Sequence, residues 1–253
     1  MVVGYGAGFG ILQFLFLYLA LDHGMPPGLA SVVLQSSAPF TVLLAGLLLH
    51  ERLSARQLLG VAVAAVGLGG IAVHRAGLGG AATVVPVLLT LCGGLGWAMG
   101  NLSNRQAGTT EPFRLMLWMT VVPPLPMLAL SLALEGPGRI AASAGGLDSR
   151  EGVLALAGLA FTVVVATLLG SGIWTALMSR HPSSTVAPFS MLVPVVGIGS
   201  SWLLLGDATG PVELAFGAVV VTGVLLGSGG RPDRTPPALE ADPGRVVRVG
   251  SPS

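Results

Sequence analysis

Uncharged polar side chains recur at helical spacing inside long apolar stretches of this sequence. Gln35 stands four residues before Pro39, Trp97 four before Asn101, and Ser190 four before Pro194. Thr167, Ser171 and Trp174 follow an i, i+4, i+7 pattern. On a helix each such set projects from one face, so amide, hydroxyl and indole groups would line a wet wall. These groups donate and accept hydrogen bonds, which suits the ammonium and carboxylate of a small zwitterion. The same groups can bond one helix to the next, and both roles stay open for every stripe. Gln13 and Tyr18 extend the set on an earlier segment, where Tyr18 also fits an interfacial anchor. Pro39, Pro188 and Pro194 remove backbone donors. They either free carbonyls for a ligand and a hinge, or fix a permanent kink.

Other chemistries find little support. Gly170-Ser171-Gly172 would serve an intramembrane serine protease only with a histidine at the same depth. His23, His50, His74 and His181 all fall at the ends of apolar stretches or between them. No His/Cys/acid cluster suits a metal, and the lone Cys92 excludes an intramolecular disulfide. A phosphate-binding GxxxxGK[ST] loop is absent, and nothing calls for a cofactor. Asp22, Glu51, Asp207 and Glu213 lie near the ends of apolar stretches, which offers no proton relay across the middle. For Glu51 the expected role is local, a bond to neighbouring backbone or a cap beside Arg52, with a coupling role as the alternative.

These residues need elements that hold them in hydrocarbon. The chain has 253 residues, 53% hydrophobic and 9% charged, with mean hydropathy +0.84. A soluble domain carries about a quarter charged residues, so this sequence cannot assemble a water-facing surface. Apolar runs of about twenty residues recur, the length that crosses a bilayer core. Their continuity, without in-out alternation, favours helices over barrel strands. The sequence therefore predicts an all-α polytopic membrane protein with about eight spans, roughly at 3–21, 28–49, 57–74, 83–102, 113–134, 152–178, 184–205 and 211–228. Short Gly/Pro/charge clusters such as "DHGMPPG", "HERLSAR" and "EGPGRIAASAGGLDSRE" separate them. The Pro- and Arg-rich stretch 229–253 reads as a disordered tail, and no cleavable signal peptide stands out. The glycine runs "GYGAGFG" and "GGLGWAMG" carry small-xxx-small spacings, which favour close helix packing.

All twelve basic residues are arginine. With the N-terminus inside, Arg52, Arg56, Arg105, Arg114, Arg180, Arg231, Arg234, Arg245 and Arg248 are cytoplasmic, and Arg75, Arg139 and Arg150 are external. This bias predicts both termini inside. The net charge of +1 gives no basis for a nucleic-acid partner; the bilayer and a small-molecule substrate are the expected partners. The arginine-only, Gly/Ala/Val-rich composition points to a GC-rich bacterial genome and a cell (inner) membrane.

Two stretches share one plan. "APFTVLLAGLLLHERLSARQLLG" (38–60) and "VPVVGIGSSWLLLGDATGPVELAFG" (193–217) each run proline, small residues, Leu-Leu-Leu, an acid and a glycine restart. They are offset by about 155–157 residues, which corresponds to five spans. An odd offset inverts the second copy, and inversion explains why the arginines of the first, now facing outside, are missing from it. Inverted repeats with a site between them are a transporter architecture.

At these residues the sequence resembles the EamA family of the drug/metabolite transporter superfamily, with its nearest likeness in the O-acetylserine/cysteine exporter group. The motifs carrying the likeness are "GMPPGLASVVLQSSAPFTVLLAGLLLHERLSARQLLG", "LGWAMGNLSNRQ" and "LLGSGIWTALMSRHPSSTVAPFSMLVPVVGIGSSWLLLGD". The resemblance implies two five-helix repeats around a central cavity. Set against it, residues 1–76 supply three helices of a first, incomplete repeat and 83–228 a second, complete one. Met1 opens on what resembles the family's third helix, so two further apolar segments are expected in frame upstream. Asp207 stands near where the first copy has Glu51. The implied activity is export of small amino acids or related metabolites by alternating access. The alternatives are a non-transporting membrane subunit and an inactive fragment.

Overall fold

The structure, a computed structural model, describes residues 2–79, 81–107, 111–170, 173, 192–206 and 209–228. The helices among them are α1 (Val2–Asp22), α2 (Pro27–Leu48), α3 (Ala55–Gly79), α4 (Ala81–Ala107), α5 (Pro112–Met119), α6 (Pro124–Leu134), α7 (Gly136–Gly145), α8 (Arg150–Gly170), α9 (Leu192–Leu205) and α10 (Pro211–Ser228). No strand occurs among the described residues. α1, α2, α3, α4, α8 and α10 each carry a segment long and apolar enough to cross a bilayer, as does Leu117–Leu134 across α5 and α6; α9 is a shorter apolar helix. In hydrocarbon every backbone polar group needs an internal partner, and helices supply it locally.

Local chemistry sets the ends. Pro26 and Pro27 start α2, where a missing N–H costs nothing. Ser54 and Gln57 form a reciprocal capping box at the start of α3: the Ser54 N–H donates to Gln57 Oε1 (2.8 Å) and the Gln57 N–H to Ser54 Oγ (3.2 Å). His50 (φ 54°) follows α2 and Gly206 (φ 73°) follows α9, both in the left-handed region that stops a helix. These two terminators occupy matching positions in the two similar stretches.

Glycines bring the helices together. α3 and α10 run antiparallel in the most extensive interhelical contact. A Cβ added to Gly223 would lie 2.7 Å from the Gly60 carbonyl oxygen, and one on Gly67 would lie 2.8 Å from that of Phe216. The pair is tied at both ends. Arg56 Nε donates to the Leu226 carbonyl (3.0 Å), and Arg75 forms an ion pair with Glu213 (3.4 Å) whose side chains are 14% and 7% exposed. Glu213 also accepts the Gly210 N–H (3.1 Å), capping α10. The apolar core lies toward this end of the bundle, where Leu29, Val32 and Val33 of α2 meet Ile71 of α3, Val87 of α4 and Val220 of α10. Large apolar side chains such as Val66, Leu125 and Leu203 face outward, as lipid contact requires.

Several boundaries differ from the sequence expectation; among them, α3 runs to Gly79, past the expected end at 74. The span at 113–134 is divided, because Val121–Pro123 are not helical and the Pro123-Pro124 pair restarts the chain as α6. The cluster "EGPGRIAASAGG", read as a loop, contains helix α7; a left-handed Gly136 (φ 78°) sets it off from α6, and the alanines that follow favour a helix. α4 continues to Ala107, past the expected end at 102. The expected tail at 229–253 lies outside the described residues.

Glu213→Ala removes both the ion pair and the cap, and is expected to destabilise by about 3 kcal/mol, the lower end for uncoupling a buried pair. Glu213→Gln keeps an acceptor for Gly210 and is expected to cost less. Gly223→Leu drives a branched side chain into the α3 backbone, whereas the space around Gly199 is open. Thermal unfolding in detergent is therefore expected to show a lower midpoint for Gly223→Leu than for Gly199→Leu.

Candidate functional site

A polar seam forms where α1, α2 and α4 meet near the middle of their lengths. The two glycine runs noted in the sequence pack against each other there. A Cβ on Gly8 of α1 would lie 2.7 Å from the Gly96 carbonyl oxygen, and one on Gly100 would lie 2.9 Å from the Phe9 nitrogen. The same glycine face admits the polar residues. A Cβ on Gly96 would sit 2.9 Å from the Gln13 nitrogen, one on Gly93 3.1 Å from the Gln13 carbonyl oxygen, and one on Gly94 would collide with Ser36 Oγ. Consecutive glycines of α4 thus bring Gln13 of α1 and Ser36 of α2 to the same level.

Pro39 shapes the α2 side. Lacking an N–H, it cannot bond the Gln35 carbonyl one turn back, and at that turn the helix tightens to a 3₁₀ segment, Leu34–Ser36. The tightened turn packs Gln35, Ser36 and Ser37 into the interior, all buried. From there the seam continues toward the His50 end of the bundle. Thr41 Oγ1 donates to the Ser37 carbonyl (2.7 Å), and Asn101 Nδ2 donates to Thr41 Oγ1 (3.4 Å). An aromatic row on α1 borders it: Phe9 meets Trp97 edge-on at 5.8 Å and Phe14 at 6.3 Å.

Two oxygens in the seam are buried without a hydrogen-bond partner among the described residues: Gln13 Oε1 and Ser36 Oγ. Each such group costs about 1–3 kcal/mol when left unsatisfied. Two uncharged acceptors at one level, in a low-dielectric setting, can receive N–H groups from a ligand, and Ser36 Oγ can also donate.

Of the candidate residues, Gln13, Trp97 and Asn101 come together in this seam; Gln35 is buried in the tightened turn of α2 beside Ser36. Pro39 is buried on another side of α2, lining a small cavity of about 70 Å³ with Gly60 and Gly223. Tyr18 does not join the seam; it is exposed and lines a separate crevice. Thr167 Oγ1 is satisfied within α8, by the Thr162 carbonyl (2.8 Å). Pro194 is buried in α9, the helix that packs on the opening turns of α2 around Gly28. Ser171, Trp174, Pro188 and Ser190 lie outside the described residues. Spacing from a proline does not pick out Ser36, Ser37 or Thr41, although Ser36 and Ser37 directly follow Gln35. Their signal was the polar triplet "QSS" within an apolar run.

An all-α polytopic bundle, glycine-packed and carrying an uncharged polar seam in its interior, defines a multi-pass membrane transporter. The chain belongs to the EamA-like transporter family, whose model matches residues 84–229. It is 39% identical over 230 residues to the probable amino-acid metabolite efflux pump of Salmonella typhimurium, and the match covers 89% of this chain and 75% of that relative. The protein of the same description from Escherichia coli is 36% identical with the same coverage. A probable terminal-alkyne amino-acid exporter of Streptantibioticus cattleyicolor is 28% identical over 204 residues, covering 80% of this chain and 64% of that relative. No solved structure matches significantly.

The unpartnered oxygens separate a binding role from a packing role. Gln13→Met replaces an unsatisfied buried amide with an apolar side chain of similar length, and is expected to raise the unfolding midpoint. Asn101→Leu breaks the bond to Thr41 and is expected to lower it, for a stability loss of about 1 kcal/mol. Thermal unfolding of the two purified variants checks this contrast.

Proposed function

We propose that the chain exports small amino acids or related metabolites across a bacterial inner membrane by alternating access, with the α1–α2–α4 seam as part of the substrate path. The observation that carries this reading is the pair of buried acceptors, Gln13 Oε1 and Ser36 Oγ, that have no partner among the described residues. They retain a cost that an ammonium or hydroxyl ligand would remove. The printed descriptions of the relatives, an amino-acid metabolite efflux pump and an amino-acid exporter, support the substrate class.

Residues 1–76 and 83–228 are proposed as two repeats of opposite orientation. The antiparallel α3–α10 pair supports this, as do the matching terminators His50 and Gly206. In this reading both termini and the connection at 50–54 are cytoplasmic, and the connections at 23–26 and 206–210 are external. Rocking of the halves would expose the seam to each side in turn.

Purified protein in liposomes loaded with labelled amino acids is expected to release a subset of them, and Gln13→Met to abolish release while folding at least as stably as the parent. Transport unaffected by Gln13→Met removes the seam from the path; no flux of any amino acid or derivative, beside an active relative, overturns the export reading. Orientation is tested with single cysteines in a Cys92→Ala background. Leu147→Cys is expected to react with an impermeant thiol reagent in intact cells and Ala55→Cys only after permeabilisation; both residues are exposed.

A further inference from the structure

The bundle holds a second polar recess, on the other side of α1 from the seam. α1 and the α5–α6 segment touch where a Cβ on Gly6 would lie 2.9 Å from the Met119 carbonyl oxygen and one on Gly10 would meet the Pro123 ring. The break at Val121–Pro123 redirects the chain at that point. Beyond it a crevice of about 520 Å³ separates α1 from α6, within the range of small-molecule sites. Its floor is apolar and includes Leu15 and Met127; its rim carries Tyr18, Asp22, Glu135 and Arg139. Glu135 is oriented by Ser131, whose Oγ donates to Oε2 (2.9 Å). Asp22 and Arg139 are unpaired among the described residues. Two carboxylates and a guanidinium around an apolar floor match the charges of a free amino acid with an aliphatic side chain.

We infer that this crevice is a binding site for zwitterionic amino acids, with Asp22 and Glu135 receiving the ammonium and Arg139 the carboxylate. It lies at the end of the bundle that carries the connection at 23–26, the external end in the proposed orientation, and so would hold substrate next to the exit. The inference rests on the export reading for the substrate class. Leu15, in the floor, is two residues beyond Gln13 on α1 and therefore on a different face. α1 thus stands as the partition between seam and crevice.

The test places a cysteine at Leu134, which also lines the crevice, in a Cys92→Ala protein reconstituted into liposomes. Its reaction with neutral N-ethylmaleimide is timed with leucine, 3-methylbutylamine (leucine without its carboxylate) and 4-methylpentanoate (leucine without its amine). Leucine is expected to slow labelling. Asp22→Asn or Glu135→Gln, made separately so that one misfolded variant does not decide the matter, is expected to weaken protection by leucine and the amine about tenfold, the loss of one charge-assisted bond. Protection by the acid is expected to survive both. Arg139→Gln is expected to do the reverse, weakening leucine and the acid while sparing the amine. No protection at roughly 10 mM leucine, well above a millimolar Kd, overturns the site, as does protection indifferent to all three substitutions. Labelling that follows the phosphatidylethanolamine content of the liposomes and ignores leucine assigns the crevice to a lipid headgroup and also overturns it. Amino-acid efflux measured in the same liposomes keeps the two readings apart. Protection without efflux preserves the crevice and sinks export, and efflux without protection does the opposite.

Discussion

The structure depends on backbone touching backbone. Lipid tails are as apolar as leucine, so helices in a bilayer gain little by hiding apolar surface from one another; they associate through close packing and polar contacts. Glycine permits the closest approach, and this chain places it on the faces that meet. Gly60, Gly67 and Gly223 bring α3 against α10, while Gly8, Gly96 and Gly100 bring α1 against α4. Dispersion energy falls steeply with small gaps, so a single Cβ in either seam displaces a whole helix.

The polar seam is a by-product of the second contact. Once Gly93, Gly94 and Gly96 remove side chains from one face of α4, room is left for Gln13 and Ser36 from the neighbouring helices. Pro39 cooperates from inside α2, because it has no N–H to give the Gln35 carbonyl one turn back, and the helix tightens there. The polar groups are uncharged, which limits their desolvation cost in hydrocarbon. Two charges that do meet between helices, Arg75 and Glu213, sit at helix ends and join α3 to α10.

Much of this architecture is legible in the residues. Continuous apolar runs of span length mark helices, and the Pro, acid and glycine signals shared by 38–60 and 193–217 mark the two similar stretches. The α1–α4 contact was half visible, since both glycine runs read as packing faces, but periodicity cannot say which face meets which. The Arg75–Glu213 pair was hidden for the same reason: its members stand 138 residues apart, and each alone reads as a flanking charge. The break at Val121–Pro123 escaped notice because "VVPPLP" stays apolar, and hydropathy does not register a missing backbone donor. Ser36 escaped because helical spacing favours residues that repeat at four, and its partner on α4 is a glycine with no side chain to count.

The α3–α10 contact also has a history in time. α3 emerges from the ribosome long before α10 exists, and at about 5–20 residues per second the 138 residues between Arg75 and Glu213 take roughly 7–28 s to make. During that interval α3 lies in the bilayer with its glycine groove facing lipid and Arg75 without its carboxylate. α10 then fills the groove and brings Glu213 to the arginine. A ribosome that stalls before α10 therefore leaves in the membrane an open glycine groove beside an arginine that lacks its carboxylate.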